Sequence, residues 1–195
     1  MPGGYRQGHH GPGSVMIGTY FRKMTATTQS PPRVSLAEIC WSWLGGFLGI
    51  AAVAYLNYGW LDATGLLLII GSFGASAVLI YGAIKSPLAQ PRNLLGGHVL
   101  SALIGVTAFN LLAPHLWLAA ALAVATSIAL MHATKTLHPP GGATALIAVI
   151  GGPQVTNLGY LYALMPVGAG ALIMLAVALL VNNLAPRRRY PEFWW

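Results

Sequence analysis

The chain has 195 residues, 56% of them hydrophobic and only 7% charged, and its mean hydropathy is +0.66. Soluble domains carry about a quarter charged residues, so this composition excludes an ordinary water-soluble globule and predicts a membrane protein. The three acids, Glu38, Asp62 and Glu192, are too few for carboxylate chemistry, which argues against an enzyme, and the single cysteine, Cys40, excludes an internal disulfide framework.

Residues 1–35 are punctuated by Gly and Pro and carry Arg6, His9, His10, Arg22, Lys23 and Arg33 without a long apolar run. A signal peptide needs a continuous apolar stretch after its basic start. This region is therefore expected to be a flexible cytoplasmic tail, with a short interfacial stretch at 14–24. From Glu38 onward, apolar runs alternate with brief breaks. About 20 helical residues span the roughly 30 Å hydrocarbon layer, which predicts spans near 38–57, 64–84, 96–113, 116–134 and 159–183, plus a shorter segment at 139–152.

The basic residues decide between five and six crossings, because Lys and Arg collect in cytoplasmic loops. With six, all ten fall on one side, from Arg6 in the tail through Lys85, Arg92 and Lys135 to Arg187, Arg188 and Arg189. The opposite loops then hold only Asp62 as a charge. This distribution accounts for the net charge of +7 without nucleic acid. It predicts a transmembrane domain at 36–186, a basic and aromatic C-terminus at 187–195, and both termini in the cytoplasm, with a bacterial inner membrane as the expected location. Trp41, Trp43, Trp60 and Trp117 read as interfacial anchors. The Arg triplet sets orientation and meets anionic lipid.

Two internal matches follow in the same order. "FGASAVLI" at 73–80 aligns with "GGATALIA" at 141–148, pairing Gly74 with Gly142 and Ser76 with Thr144; "NLLAP" at 110–114 aligns with "NNLAP" at 182–186. The offsets are 68 and 72. A three-span unit used twice must be inserted the second time upside down. The expected fold is all-α, a polytopic bundle of six segments arranged as two inverted three-helix repeats, about 36–114 and 115–186, with segments two and five short or interrupted.

Segment five opens with "HPPGG" at 138–142 and closes on glycines at 151 and 152. A helix from Pro139 to Gly152 is about 21 Å long, short of the hydrocarbon thickness. Its start is therefore expected inside the bilayer, where the partial positive charge and unpaired N–H groups of a helix N-terminus suit an anion. Pro139 and Pro140 fit a helix start, while Gly141, Gly142 and Ala143 leave the backbone open to a ligand. Thr144 adds a hydroxyl. Ser72, Gly74, Ala75 and Ser76 form the matching surface of segment two, with His98 and His138 close by and Lys85, Arg92 and Lys135 at the inner mouth. Plainer roles compete: His138 can cap a backbone carbonyl, His98 can sit at the interface, and the hydroxyls can bond back to their own helices. His115 and His132 read as interfacial, and Asn110 and Asn182 as helix-end caps.

The blocks "GSFGASAVL" (71–79), "PLAQPRNLLGGH" (87–98) and "HPPGGATAL" (138–146) resemble the HPP family of small integral membrane proteins over residues 36 to 184. The resemblance implies a small-anion transporter, since that family is associated with nitrite transport. A membrane transporter or uniporter for nitrite, with nitrate next, is therefore expected, with no cofactor and no metal. An anion channel is the nearest rival. A non-transporting metalloprotein using His98, His115, His132 and His138, or an assembly subunit, comes from a different class. Membrane lipid and a second copy of the chain, as a dimer before a trimer, are the expected partners.

Overall fold

The computed structural model describes residues 19–61 and 67–195, which divide into two units at the Val34–Ser35 boundary. Arg6, His9, His10, part of the interfacial stretch and Asp62 lie outside the described residues. In the first unit, residues 19–22 form one helical turn, closed where the Lys23 N–H donates to the carbonyls of Thr19 and Tyr20.

In the second unit the described residues are helical or irregular, with no strand. Helix α1 (Leu36–Leu56) starts where the Ser35 hydroxyl accepts the Glu38 N–H at 3.2 Å, and Glu38 in its first turn suits the helix dipole. It runs into a π turn at Asn57–Leu61. Then come α2 (Ser72–Ala77), extended by a π turn at Val78–Gly82, α3 (Pro91–Leu112), α4 (Leu116–Ala133), α5 (Pro139–Ile150) and a single turn, α6 (Pro153–Thr156). Irregular turns at Ala163–Gly168 lead into α7 (Ala169–Leu184).

Among the described residues, three helical stretches are long and apolar enough to cross a membrane: Leu36–Leu61, Pro91–Ala133 and Ala163–Leu184. The middle one folds back at Ala113–His115. Ala108 of α3 packs with Ala119 and Ala123 of α4, and farther back Ser101 faces Met131, so α3 and α4 form an antiparallel pair. The two remaining apolar helices are short, Ser72–Gly82 and Pro139–Ile150. At 1.5 Å per residue they are about 16–18 Å long.

Both short helices fall in the segments expected to be short or interrupted, the second starting at Pro139 and the first at Ser72, inside the apolar run at 64–84. Residues 64–84 read as one span, yet the chain is non-helical from Leu67 to Ile70 and the helix begins at Ser72. The cause is Asn57, whose Oδ1 accepts the N–H groups of Leu68 at 2.7 Å and Ile69 at 3.1 Å, donors that a helix would otherwise use, and so keeps that stretch non-helical. Helix α3 also begins earlier than its apolar run at 96 suggests, because Pro91 occupies the first turn after Gln90.

Small residues let the helices close. The Tyr81 ring lies across Gly45 and Gly49 of α1, and its hydroxyl donates to the Met174 carbonyl at 2.9 Å. Gly170 of α7 faces the Phe73 ring. The C-terminal segment is pinned by Arg188, which binds both carboxylate oxygens of Glu38, at 2.7 and 3.1 Å, together with Ser42, Asn182 and the carbonyls of Glu38 and Tyr81.

Candidate functional site

Helices α2 and α5 cross antiparallel inside the bundle. Ser72 meets Thr144 at 2.9 Å, whereas Ser76, one turn later, meets the start of α5 at His138, 2.9 Å away. Helix α3 contributes His98 between them. Its Nε2 is 2.7 Å from Ser76 Oγ and its Nδ1 is 2.7 Å from Thr144 Oγ1. On the far side, His138 Nδ1 lies 2.8 Å from the Leu88 carbonyl oxygen. Ser72, Ser76, His98, His138 and Thr144 are all at most 1% exposed. Polar groups buried this deeply are costly unless each is hydrogen-bonded, and here each side chain bonds to at least one other of the five.

Each position follows from local structure. Ser72 and Ser76 are four residues apart and share one helix face. His98 lies two turns into α3, fixed edge-on by the Phe73 ring with centroids 5.4 Å apart. The two imidazoles approach to 4.9 Å between centroids. His138 caps α5 in an extended conformation, with φ −140° and ψ 103°. Behind the cluster, Tyr162 donates to the Thr144 carbonyl at 3.2 Å. Gly141 allows α5 to approach α3, because a Cβ there would stand 2.8 Å from both the Gly97 carbonyl oxygen and Ser101 Oγ.

The cluster thus unites five of the residues singled out from sequence and leaves others outside. Gly74 and Ala75 are exposed on the opposite face of α2, a helical phase that Ser72 and Ser76 exclude. Pro139, Gly142 and Ala143 turn toward α4, where they line an apolar cavity of about 560 Å³ with Val124, Ile128 and His132. These five positions lie outside the polar cluster. Pro140 is buried, and its carbonyl lies 3.2 Å from Thr144 Oγ1. Lys85 and Lys135 are exposed, while Arg92 is half-buried above the Phe193 ring, 5.5 Å from its centroid. His115 and His132 are exposed and belong to other surfaces.

Few backbone donors at the two helix starts face the cluster. Pro139 and Pro140 have no N–H, and the Gly141 N–H is spent on the His138 carbonyl at 2.7 Å. At the start of α2 the Phe73 and Gly74 N–H groups likewise bond to the Ile70 and Gly71 carbonyls. The donors facing one another are hydroxyls and imidazoles. Sequence reasoning missed three supporting groups: the Leu88 carbonyl, Tyr162 and Asn57. It also missed the Arg188–Glu38 pair, whose members are 150 positions apart. Asn182 does cap a helix end, donating to the Ile80 carbonyl at 2.9 Å.

A family model described as HPP, transmembrane region, matches residues 31–191. Two transmembrane proteins of Dictyostelium discoideum are 49% and 48% identical over 179 and 181 residues, which is 90% of this chain in each case. The matches take in 57% and 63% of those proteins, so the chain spans about three fifths of the length of these curated relatives. No solved structure matches it. The cluster draws its histidines and hydroxyls from the "GSFGAS", "LLGGH" and "HPPGGAT" stretches, all inside the matched region, and the chain belongs to the HPP transmembrane family.

Proposed function

We propose that the chain transports a small inorganic anion, nitrite first and nitrate next, and that two inverted three-helix repeats meet at the buried cluster. The observation that carries this reading is the antiparallel seating of two half-length helix starts, with five polar side chains buried between them. Polar and ionisable side chains inside a bilayer are costly and mark substrate paths. Broken helices meeting near the midplane are a transporter device.

Paired contacts support the repeat. The Leu68 N–H is held by Asn57 at the end of α1, and the Thr136 N–H by the Met131 carbonyl at the end of α4, at 2.7 and 2.9 Å. Leu68 and Thr136 are 68 positions apart, the same offset that aligns Ser76 with Thr144. Gly97 of α3 packs against the Thr136 carbonyl, and Gly170 of α7 against the Leu68 carbonyl.

In the conformation described, the side chains bond one another and fill the space between the helix starts. As the repeats rock apart, an anion takes over the Ser72–Thr144 contact and accepts from Ser72, Ser76, Thr144 and an imidazole N–H, with the positive ends of α2 and α5 beside it. Lys85 and Arg92 flank the loop that Leu88 and Asn93 tie to His138 and Leu137, and Lys135 precedes it, so all three cations gather anions at one mouth.

Purified chain in proteoliposomes, offered a panel of anions, tests the proposal. Saturable nitrite uptake with counterflow is expected. Thr144→Val should weaken apparent affinity about tenfold to a hundredfold, the loss of a hydrogen bond to a charged group costing about 1.5–3 kcal/mol. Flux of every anion equal to that of protein-free vesicles overturns the reading. Non-saturating flux without counterflow makes the chain a channel.

A further inference from the structure

The histidine–hydroxyl cluster has a direction. The Leu88 carbonyl oxygen can only accept, so His138 Nδ1, 2.8 Å away, carries a proton. In a neutral ring Nε2 then accepts, and Ser76, at 2.9 Å, donates to it. Having given its one proton, Ser76 accepts from His98 Nε2 at 2.7 Å. That leaves His98 Nδ1 as an acceptor for the Thr144 hydroxyl at 2.7 Å. With both rings neutral, with Thr144 turned from Ser72 Oγ and the Pro140 carbonyl toward His98 and with Ser76 turned from the Ser72 carbonyl toward His138, the histidines hold opposite tautomers and every link donates toward Leu88.

We propose that this chain is a proton relay between the anion site and the Leu88 face, so that a proton crosses with each anion; the proposal rests on the transport reading above. A proton delivered to Thr144 Oγ1 moves the existing Thr144 proton onto His98 Nδ1. The His98 Nε2 proton passes to Ser76, and the Ser76 proton passes to His138 Nε2. One proton has entered, and His138 is an imidazolium holding one proton more than before. Opening of the Leu88 hydrogen bond, 2.8 Å long in the closed state, lets water on that side take the Nδ1 proton as hydronium, which completes the transfer with no net gain. Hydroxyl rotation and tautomer exchange then reset the chain, and Thr144 in the reversed state donates to Ser72 Oγ, 2.9 Å away.

Among the described residues no carboxylate takes part. The titratable groups bonded into the cluster are His98 from α3, His138 at the start of α5 and Tyr162, which donates to the Thr144 carbonyl from the segment before α7. The other contacts are Ser72 and Ser76 from α2, Leu88 from the loop after it, and the Phe73 ring. Arg92, on the first turn of α3, lies over Phe193 instead. Ser76 is the one atom bridge between the two imidazoles, so the relay breaks there.

The experiment records nitrite and proton entry together in proteoliposomes of the full chain, after subtraction of flux into protein-free vesicles, which nitrous acid itself crosses. One proton per nitrite is expected, with accumulation driven by an inward proton gradient and at least tenfold lower for Ser76→Ala. Nitrite entering without protons overturns the relay and leaves transport standing. If no nitrite enters, the transport reading fails, and ¹⁵N spectra of histidine-labelled protein in bilayers decide the relay separately. The relay requires neutral His138 protonated on Nδ1 and neutral His98 on Nε2, with the His98 preference lost in Ser76→Ala. A neutral His138 carrying its proton on Nε2, or a His98 tautomer unchanged by Ser76→Ala, overturns it.

Discussion

Adjacent glycines in α5 should respond oppositely to a single methyl group. At Gly141 a Cβ would stand 2.8 Å from the Gly97 carbonyl oxygen, 2.8 Å from Ser101 Oγ and 3.0 Å from Met131 Sδ. The hydroxyl and the thioether can turn aside, but the carbonyl belongs to the backbone of α3. At Gly142 the nearest atom is Val124 Cγ1 at 3.8 Å, an ordinary contact. Replacing either glycine by Ala brings the same helix-propensity gain of about 1 kcal/mol, which cancels between the two variants. The remaining difference is overpacking at Gly141, about 1–3 kcal/mol. For a domain of this size that corresponds to a gap of about 2–12 °C in Tm, at roughly 2–4 °C per kcal/mol. Thermal unfolding of purified Gly141→Ala and Gly142→Ala in the same detergent measures it. Because Gly141 lies three residues before Thr144 on the same face, parting α5 from α3 also lengthens the His98–Thr144 contact, and nitrite uptake should fall for Gly141→Ala only. Equal stability, or a less stable Gly142→Ala, would refute this packing argument.

The Arg188–Glu38 pair should be asymmetric, since the Arg188 side chain is 2% exposed and that of Glu38 is 34% exposed. Glu38→Ala strands a buried guanidinium and should cost up to about 3–5 kcal/mol; Arg188→Met leaves a carboxylate that water reaches and should cost less, as comparative unfolding will show. Asn57→Leu removes the acceptor for two N–H groups and should destabilise by about 2–6 kcal/mol at about 1–3 per unsatisfied group, whereas Asn57→Asp, which keeps an acceptor, should lose less. Burial raises the Tyr190 hydroxyl above the ordinary phenol value of about 10, and it donates to the Ala89 carbonyl at 2.7 Å. A raised folded-state value means that this contribution is complete below about pH 10 and is lost as pH climbs toward the folded value. Tyr190→Phe should therefore flatten the fall in stability above pH 10.

Much of the fold was legible because hydrophobic runs and breaks are dictated by the bilayer. Pro139 and Pro140 following an extended His138 announced a helix starting late, and the structure starts it at Pro139. Hydropathy could not separate an apolar helix from an apolar extended chain. "LLLII" at 66–70 reads as the beginning of the span at 64–84, and the Asn57 side chain, arriving from α1, binds the N–H groups of its described part, 67–70, which is non-helical. The misplaced start of α3 had a local signal in Pro91, a residue suited to the first helical position. Starting α3 at 96 puts His98 in its first turn and at the membrane surface. Starting it at Pro91 carries His98 a turn deeper, to 0% exposure.

Helical phase separates the site residues that reached the cluster from those that did not. On α5, Gly141 and Thr144 are three apart and share a face, whereas Gly142 and Ala143 are turned about 100° and 200° on from Gly141. On α2, Ser72 and Ser76 share a face that Gly74 and Ala75 cannot. Reading the glycines as equivalent openings for a ligand ignored that rotation; reading them by phase assigns Gly141 to the close approach of α3 and leaves Gly142 to α4. Phase alone still does not pair Ser76 with His138, because that contact joins residues 62 positions apart. It is decided by hydrogen-bond demand: with His138 Nδ1 committed to Leu88, the Nε2 atom needs a buried donor. The face of α2 that presents Ser76 supplies one.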